Sequence, residues 1–360
     1  MKYFKYAAIL FVTILLTQSC KKDENPDPVA NVQSILDGIK NEFNRGGVVA
    51  VARKNDGTMD FGAFGNSEET VPLSKSMSLG IGSNTKTFTA ALIFRLIEEG
   101  QLSIDDNLND LLPEKINANI NGSITVKQLL NHSSGLFDPI NDNDDFINSV
   151  FTNPSYTYSI DEYLAKVLVP YFVNGTSHSY SNTNFILLGL IIEKKSGKTY
   201  HEYLREEILT PLNLSHTFLS GQELATNTVG YSWGPSGDNL KDLSRNGIES
   251  IAWSAGSIFS TVEDMAIWYH SLFNGDFLSA SSLAVMQTTV VGEYDLNYGS
   301  GIFSKNYNGD NIFVHSGQTI AYNSFCLYDE DTKDIVVVII NQIENDSEPI
   351  AYKILDLLQQ

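Results

Sequence analysis

The chain has 360 residues, with 43 acidic against 23 basic side chains and a formal net charge of −20. That balance argues against nucleic acid as a partner and against electrostatic attachment to anionic lipid. Charged residues are only 18% of the chain beside 42% hydrophobic ones, the composition of a globular protein rather than a disordered acidic one.

Lys2 and Lys5 precede an apolar run from Tyr6 to Leu16, and Thr17-Gln18-Ser19-Cys20 follows. A basic start, a short apolar core and a small residue before the cut predict a secretory leader over 1–19. The run is too short to cross a bilayer as a stable helix. Cys20 directly after it resembles the box of a bacterial lipoprotein, although Leu16 stands four rather than three residues before the cysteine. The resemblance implies lipidation at Cys20 and an exported protein, lipid-anchored in the cell envelope on its periplasmic face or at the cell surface. An ordinary cleaved leader with an incidental cysteine is the alternative. Residues 20–31 are polar and Pro-containing, which suits a flexible tether. Without Lys2 and Lys5 the net charge is near −22. With Cys20 acylated, Cys326, the only other cysteine, has no disulfide partner and is read as a packing residue.

Val32, Ile35, Leu36, Ile39 and Phe43 recur at helical spacing and predict an opening helix ended by Gly46-Gly47. Val48 to Arg53 and Thr58 to Phe64 flank Asn55-Asp56-Gly57, a hairpin signal. Ala90 to Ile97 is an apolar helical run. Thr125 with Gln128, Ser159 with Glu162, Thr199 with Glu202 and Ser260 with Glu263 are spaced as capping boxes. Asn141 to Ser155 reads as a polar, irregular surface excursion. Near the end, Tyr298 to Lys305, Ile312 to His315, Tyr322 to Tyr328 and Asp334 to Asn341 read as strands. Val336 to Ile340 is apolar throughout, as in a strand covered on both faces. Ile350, Ile354, Leu357 and Leu358 predict a closing helix. Strand and helix signals at both ends with helices between them predict an α/β (α+β) protein. Its antiparallel sheet comes from 32–103 and 292–360, flanked by the terminal helices, and 104–291 is an inserted all-α domain. The reacting groups are expected at the seam between the two.

Ser83 and Lys86 stand three residues apart where the Ala90 run begins. On a helix their side chains share one face. Ser83 is then placed in a first turn whose free N–H groups favour developing negative charge. A serine hydroxyl needs a base to become a nucleophile, and a lysine serves only if burial or a neighbouring cation lowers its pKa. Tyr180-Ser181-Asn182 precedes the apolar helix Phe185 to Ile192. Tyr180 can relay a proton if a cation lowers its pKa, and Asn182 can bond both Lys86 and a substrate amide. His315-Ser316-Gly317 ends a strand. The small residue Gly317 lets a substrate lie along the strand edge, and the N–H groups of Gln318 and Ser83 are the two donors that acyl transfer requires. Gly230-Tyr231-Ser232-Trp233-Gly234 matches a nucleophile-elbow pattern, but loop-like sequence on both sides argues against Ser232 as the nucleophile. The six histidines are scattered, and neither H-E-x-x-H nor a paired-cysteine motif occurs, so no metal and no cofactor are implied.

The order S-x-x-K, Y-x-N, H-x-G resembles the serine β-lactamase and penicillin-recognising family, in its class C and D-alanyl-D-alanine-peptidase-like branch. Further matching stretches are Leu129 to Leu136, Pro211 to Thr217, Ala255 to Met265 and Tyr298-Gly299-Ser300-Gly301. The resemblance implies that Ser83 is acylated, with Lys86 and Tyr180 as the base system and Asn182 as a ligand of Lys86 and substrate. It also implies that Ser83 and Gln318 form the oxyanion hole, and that His315 stands where β-lactamases carry the lysine of K-T-G. The expected activity is a cell-envelope serine hydrolase acting through acyl-Ser83 on an amide or ester of a small molecule or peptide. A D-Ala-D-Ala type peptide is the first expectation; a carboxylesterase or a β-lactamase is the alternative, and a non-catalytic binding homologue the remote one. A histidine at 315, neutral for much of the range near pH 7, implies weaker, pH-dependent binding of a substrate carboxylate.

Overall fold

Ile335–Ile340, the apolar run near the end of the chain, lies inside a sheet of nine strands. The computed structural model describes residues 30–233, 246–275, 277–291 and 297–360. The leader, Cys20, all but the last two residues of the tether, and most of the loop from Tyr231 to Asn246 lie outside the described residues. Asn31–Gln360 form one compact unit.

The strands are β1 (Gly47–Arg53), β2 (Met59–Glu68), β3 (Val71–Pro72), β4 (Leu79–Gly80), β5 (Phe218–Leu219) and β6 (Ile258–Ser260). They continue with β7 (Val290–Val291), β8 (Asn297–Tyr298), β9 (Phe303–Tyr307), β10 (Asp310–Gln318), β11 (Asn323–Asp329) and β12 (Ile335–Ile340). The large sheet runs β3-β2-β1-β12-β11-β10-β9-β8-β7 with every pairing antiparallel. The two ends of the chain thus meet at β1 and β12, where Val48 faces Ile340 and Arg53 faces Ile335. The hairpin signal at Asn55-Asp56-Gly57 is the β1–β2 turn, closed by Gly57 N–H to Lys54 O and Lys54 N–H to Thr58 O, both 2.9 Å. Gly57 takes φ +90°, which suits glycine.

Alternation along the central strands divides two cores. Val48, Ala50, Val336, Val338 and Ile340 face the terminal helices α1 (Val32–Ile39) and, at the far end of the chain, Glu348–Leu358. Val49, Val51, Val337 and Ile339 face the helical layer. That layer holds α2 (Thr85–Glu98), α3 (Asn182–Ser196), α4 (Asn246–Gly256) and α5 (Val262–Phe273). The segment 104–291 is mainly helical and also supplies β5, β6 and β7; β5 and β6 join β4 in a second, three-stranded sheet.

Three local expectations change. Asn141 to Ser155 is not irregular: Pro139–Asp142 and Asp144–Thr152 are helices, capped by Asp138 and Asn143, with Phe146 and Val150 buried. The cap of α5 is Thr261, whose hydroxyl accepts from Asp264 N–H, because Ser260 is held in β6; such a cap contributes about 1 kcal/mol. The stretch from Tyr298 to Lys305 is two strands, β8 and β9, parted by a turn in which Gly299 N–H bonds Ile302 O. The boxes at Thr125, Ser159 and Thr199 form as expected.

Candidate active site

Ser83 is not in the first turn of α2 but in the tight 3-10 turn Gly82–Asn84 just before it. The reason is Asn84, whose side chain is used elsewhere. Its amide donates to Ser324 Oγ at 2.9 Å on β11 and accepts from Tyr269 OH at 2.9 Å on α5. Ser324 Oγ in turn donates to Ile81 O at 2.8 Å. The Ser83 turn is therefore tied to the sheet and to α5.

Two glycines permit this contact. A Cβ on Gly317 would meet Ile81 O at 1.9 Å, and one on Gly82 (φ +52°) would meet Gln318 N at 2.8 Å. Gly317 is thus required by the close approach of the Ser83 turn to β10. The approach sets the backbone of Gln318 beside that of Gly82–Ser83, and Ser83 and Gln318 both line the same cavity.

Lys86 is fully buried. Its Nζ has three partners: Ser83 Oγ at 3.0 Å, Asn182 Oδ1 at 2.7 Å and Ala255 O at 2.8 Å. The last depends on a kink in α4. Trp253 takes φ +31°, the helical path breaks, and the carbonyls of Ser254 and Ala255 turn to α2, where they accept from Thr89 Oγ1 (2.7 Å) and Lys86 Nζ. Burial lowers the pKa of Lys86 to about 7, against the opposing pull of Asp138. Asn182 Oδ1 and Ala255 O can only accept. A neutral Lys86 therefore spends both N–H groups on them and keeps its lone pair for Ser83.

Tyr180 OH lies 2.8 Å from Ser83 Oγ, and its ring lies under Lys86 Nζ, 4.8 Å from the centroid. The neighbouring lysine does not make it a tyrosinate. Burial raises its pKa, and the bond to Ser83 only partly offsets this. Tyr180 is a phenol that donates to Ser83 Oγ, and of the two groups at Ser83 it is Lys86 whose lone pair can face the hydroxyl.

His315 is buried at 1% exposure and its pKa is lowered to about 3, first by burial and then by Lys86. Its Nδ1 lies 2.6 Å from Ser316 O, an acceptor, so Nδ1 carries the proton; Nε2 faces Tyr298 OH at 3.3 Å. Burial thus favours the neutral imidazole at His315 near pH 7, the state that the expectation of weak carboxylate binding assumed.

Two residues that the motifs did not single out complete the site. Asp138, fully buried, accepts from Asn182 N–H (3.0 Å) and Asn182 Nδ2 (2.9 Å) through Oδ2. His132, also fully buried, has Nδ1 3.1 Å from Ser181 N and 2.8 Å from Asn184 Nδ2, and its ring packs 4.3 Å from that of Tyr180. Both donors fix Nδ1 as an acceptor, and burial lowers the His132 pKa further. The stretch Leu129 to Leu136 contained His132, but nothing local to it or to Asp138 indicated contact with Tyr180-Ser181-Asn182.

The cavity over Ser83 is about 710 Å3. Apolar side chains such as Ile147, Phe151, Ile251, Phe303 and Ile320 line it, together with Tyr180, His315 and one carboxylate residue, Glu249. Among the described residues no lysine or arginine lines it. Ser232 of the elbow-like pattern is buried and does not line this cavity, and its Oγ has no bonding partner among the described residues; Gly234 lies outside them.

The family pattern described as Beta-lactamase matches residues 32–359. Protein flp of Staphylococcus aureus (strain MRSA252) is 29% identical over 293 residues, 76% of this chain and 54% of that protein. The chain thus spans about half the length of that relative. Penicillin-binding protein 4* of Bacillus subtilis (strain 168) is 26% identical over 337 residues, 86% of this chain and 70% of that protein. Among solved structures, a D-stereospecific amidohydrolase from Streptomyces sp. superposes with a TM-score of 0.81 at 27% identity, covering 91% of this chain and 98% of that one.

Proposed function

The chain belongs to the Beta-lactamase family of serine hydrolases, and we propose that it cleaves an amide or ester of an apolar acyl group through an acyl-Ser83 intermediate. The observation that carries this reading is the partner set of Lys86, which leaves one direction for a lone pair, toward Ser83 Oγ. Lys86 takes the hydroxyl proton as Oγ bonds to the substrate carbonyl carbon. The developing oxyanion is held by the N–H groups of Ser83 and Gln318. The proton passes through the Tyr180 hydroxyl to the leaving nitrogen or oxygen as the C–N or C–O bond breaks. Water then hydrolyses the ester, losing its proton to Lys86 and returning Ser83. Asn182 holds Lys86 and the substrate amide.

The substrate we infer carries no carboxylate next to the scissile bond, which moves a D-amino-acid amide or short ester ahead of a D-Ala-D-Ala peptide or a β-lactam. Neutral His315 and the apolar wall support this, as does the likeness to the Streptomyces amidohydrolase. Export and lipid attachment through Cys20 belong to the same proposal; palmitate incorporation lost in Cys20→Ala tests them. The test of the chemistry is a fluorophosphonate probe followed by a substrate panel. Ser83 is labelled in the wild type and in Ser232→Ala, and labelling is lost in Ser83→Ala. Labelling that survives Ser83→Ala overturns the assignment. Faster turnover of a D-Ala-D-Ala peptide or nitrocefin than of the amide and ester overturns the substrate preference.

A further inference from the structure

Asp138 touches neither Ser83 nor the cavity, yet it sits one residue behind the base. It is fully buried, with no lysine or arginine bonded to it among the described residues, and all its bonds come from neutral N–H donors. Oδ1 accepts from Ile140 N–H at 3.0 Å, and Oδ2 from Asn141 Nδ2 at 2.8 Å and from both N–H groups of Asn182. A carboxylate only accepts and the Asn182 side chain has one donor end and one acceptor end. With Nδ2 taken by Asp138, Oδ1 must point the other way, and there it meets Lys86 Nζ at 2.7 Å.

We propose that Asp138 is the positioning residue and buried counter-charge of the Ser83–Lys86 pair: it orients the Asn182 amide onto Lys86 and sets the pH at which Lys86 gives up its proton. The inference rests on Ser83 and Lys86 being nucleophile and base. The groups facing Lys86 are Asp138, Tyr180, His132 and His315, of which the two histidines are neutral and the tyrosine is a phenol. Those facing Asp138 are Tyr163, Tyr171 and Tyr180; Tyr171 accepts from Asp138 N–H at 3.0 Å and donates its O–H to Asp142. Burial raises the Asp138 pKa, while the N–H donors around it and the Lys86 charge favour its ionised form; as an acceptor of four N–H bonds it is the one acidic group named facing Lys86, and its pull raises the lysine pKa that burial depresses.

Lys86 is a base only when neutral, so acylation of Ser83 rises with pH through the Lys86 pKa, about 7. Removing the Asp138 charge lets burial act unopposed, and the rise moves to lower pH. The measurement is the rate of fluorophosphonate labelling of Ser83 between pH 5 and 9 in the wild type and in Asp138→Asn. Asp138→Ser, which keeps a capping oxygen for Ile140, is the second variant should the first not fold. The expected result is a midpoint displaced by about 1 pH unit toward acid, with a lower plateau because Asn182 is less firmly held. A lower plateau with an unmoved midpoint means that Asp138 is only structural, and overturns the inference while leaving the acyl-enzyme mechanism intact. Labelling that survives Ser83→Ala overturns the mechanism itself, and this inference with it.

Discussion

The cavity has a floor and a wall built on opposite principles. The floor (Ser83, Lys86, Tyr180, Asn182, with Asp138 behind) is polar, with Lys86, Asn182 and Asp138 buried and Ser83 and Tyr180 partly exposed, and nearly every donor named has an acceptor. The wall, from Ile147 and Phe151 on one side to Ile320 on the other, is apolar and partly open. A buried polar network has one low-energy arrangement, because each unmet group costs about 1–3 kcal/mol. An apolar wall tolerates many shapes of comparable size. In the proposed mechanism the floor carries the reaction and the wall selects the substrate, so substitutions in the two regions should separate in kcat and KM.

The largest effect belongs to the floor. Lys86→Ala removes the base and is expected to slow labelling of Ser83 by about 10³-fold or more; a loss below about tenfold breaks the assignment of Lys86. Tyr180→Phe keeps the ring over Lys86 and removes the hydroxyl. Amide turnover should fall by about 10²-fold, and an activated ester, whose leaving group needs no proton, should lose less. Equal losses on both substrates would make Tyr180 a positioning group only.

His315 sharpens the comparison through stability. Its folded pKa, about 3, lies below the ordinary 6.5. Below pH 6.5 the unfolded chain takes up a proton that the folded chain does not, so stability is lost as pH falls from 6.5 toward 3. His132 acts in the same direction. His315→Gln should flatten this slope, with a wild-type loss at pH 5 relative to pH 7 greater by about 2 kcal/mol, read from melting curves at both pH values. Parallel curves would mean that His315 is charged in the folded protein. The smallest effect lies in the wall: Phe151→Ala, at a half-exposed ring, should raise KM for an apolar amide about fivefold with kcat unchanged. A fall in kcat alone would erase the division between floor and wall.

Much of the floor was legible because its residues come in short local patterns. Ser83 and Lys86 lie one helical turn apart, and Tyr180 and Asn182 flank a single residue at a helix start. Gly317 was legible as a glycine but not in its purpose, since only the packed structure shows Ile81 O where a side chain would be. The helices at 139–152 were missed because short, well-capped helices rich in Asn and Asp carry a polar composition that resembles a loop. Asp138, His132 and the Ala255 carbonyl were invisible because their partners are 44 to 169 residues away in sequence.

Periodicity and turn signals in the sequence laid out the central strand, the terminal helices and the sheet closed from both chain ends, and the family resemblance carried by three motifs pointed to Ser83 and Lys86 as candidate nucleophile and base. These depend on neighbours within a few residues, where backbone geometry fixes the distance. Only the tertiary structure sets the direction in which each group titrates: the pKa of Lys86 lowered to about 7, that of Tyr180 raised and that of His315 lowered, each first by burial. Those shifts depend on burial and on charges brought in from distant segments, and no local pattern encodes how much water a side chain loses on folding.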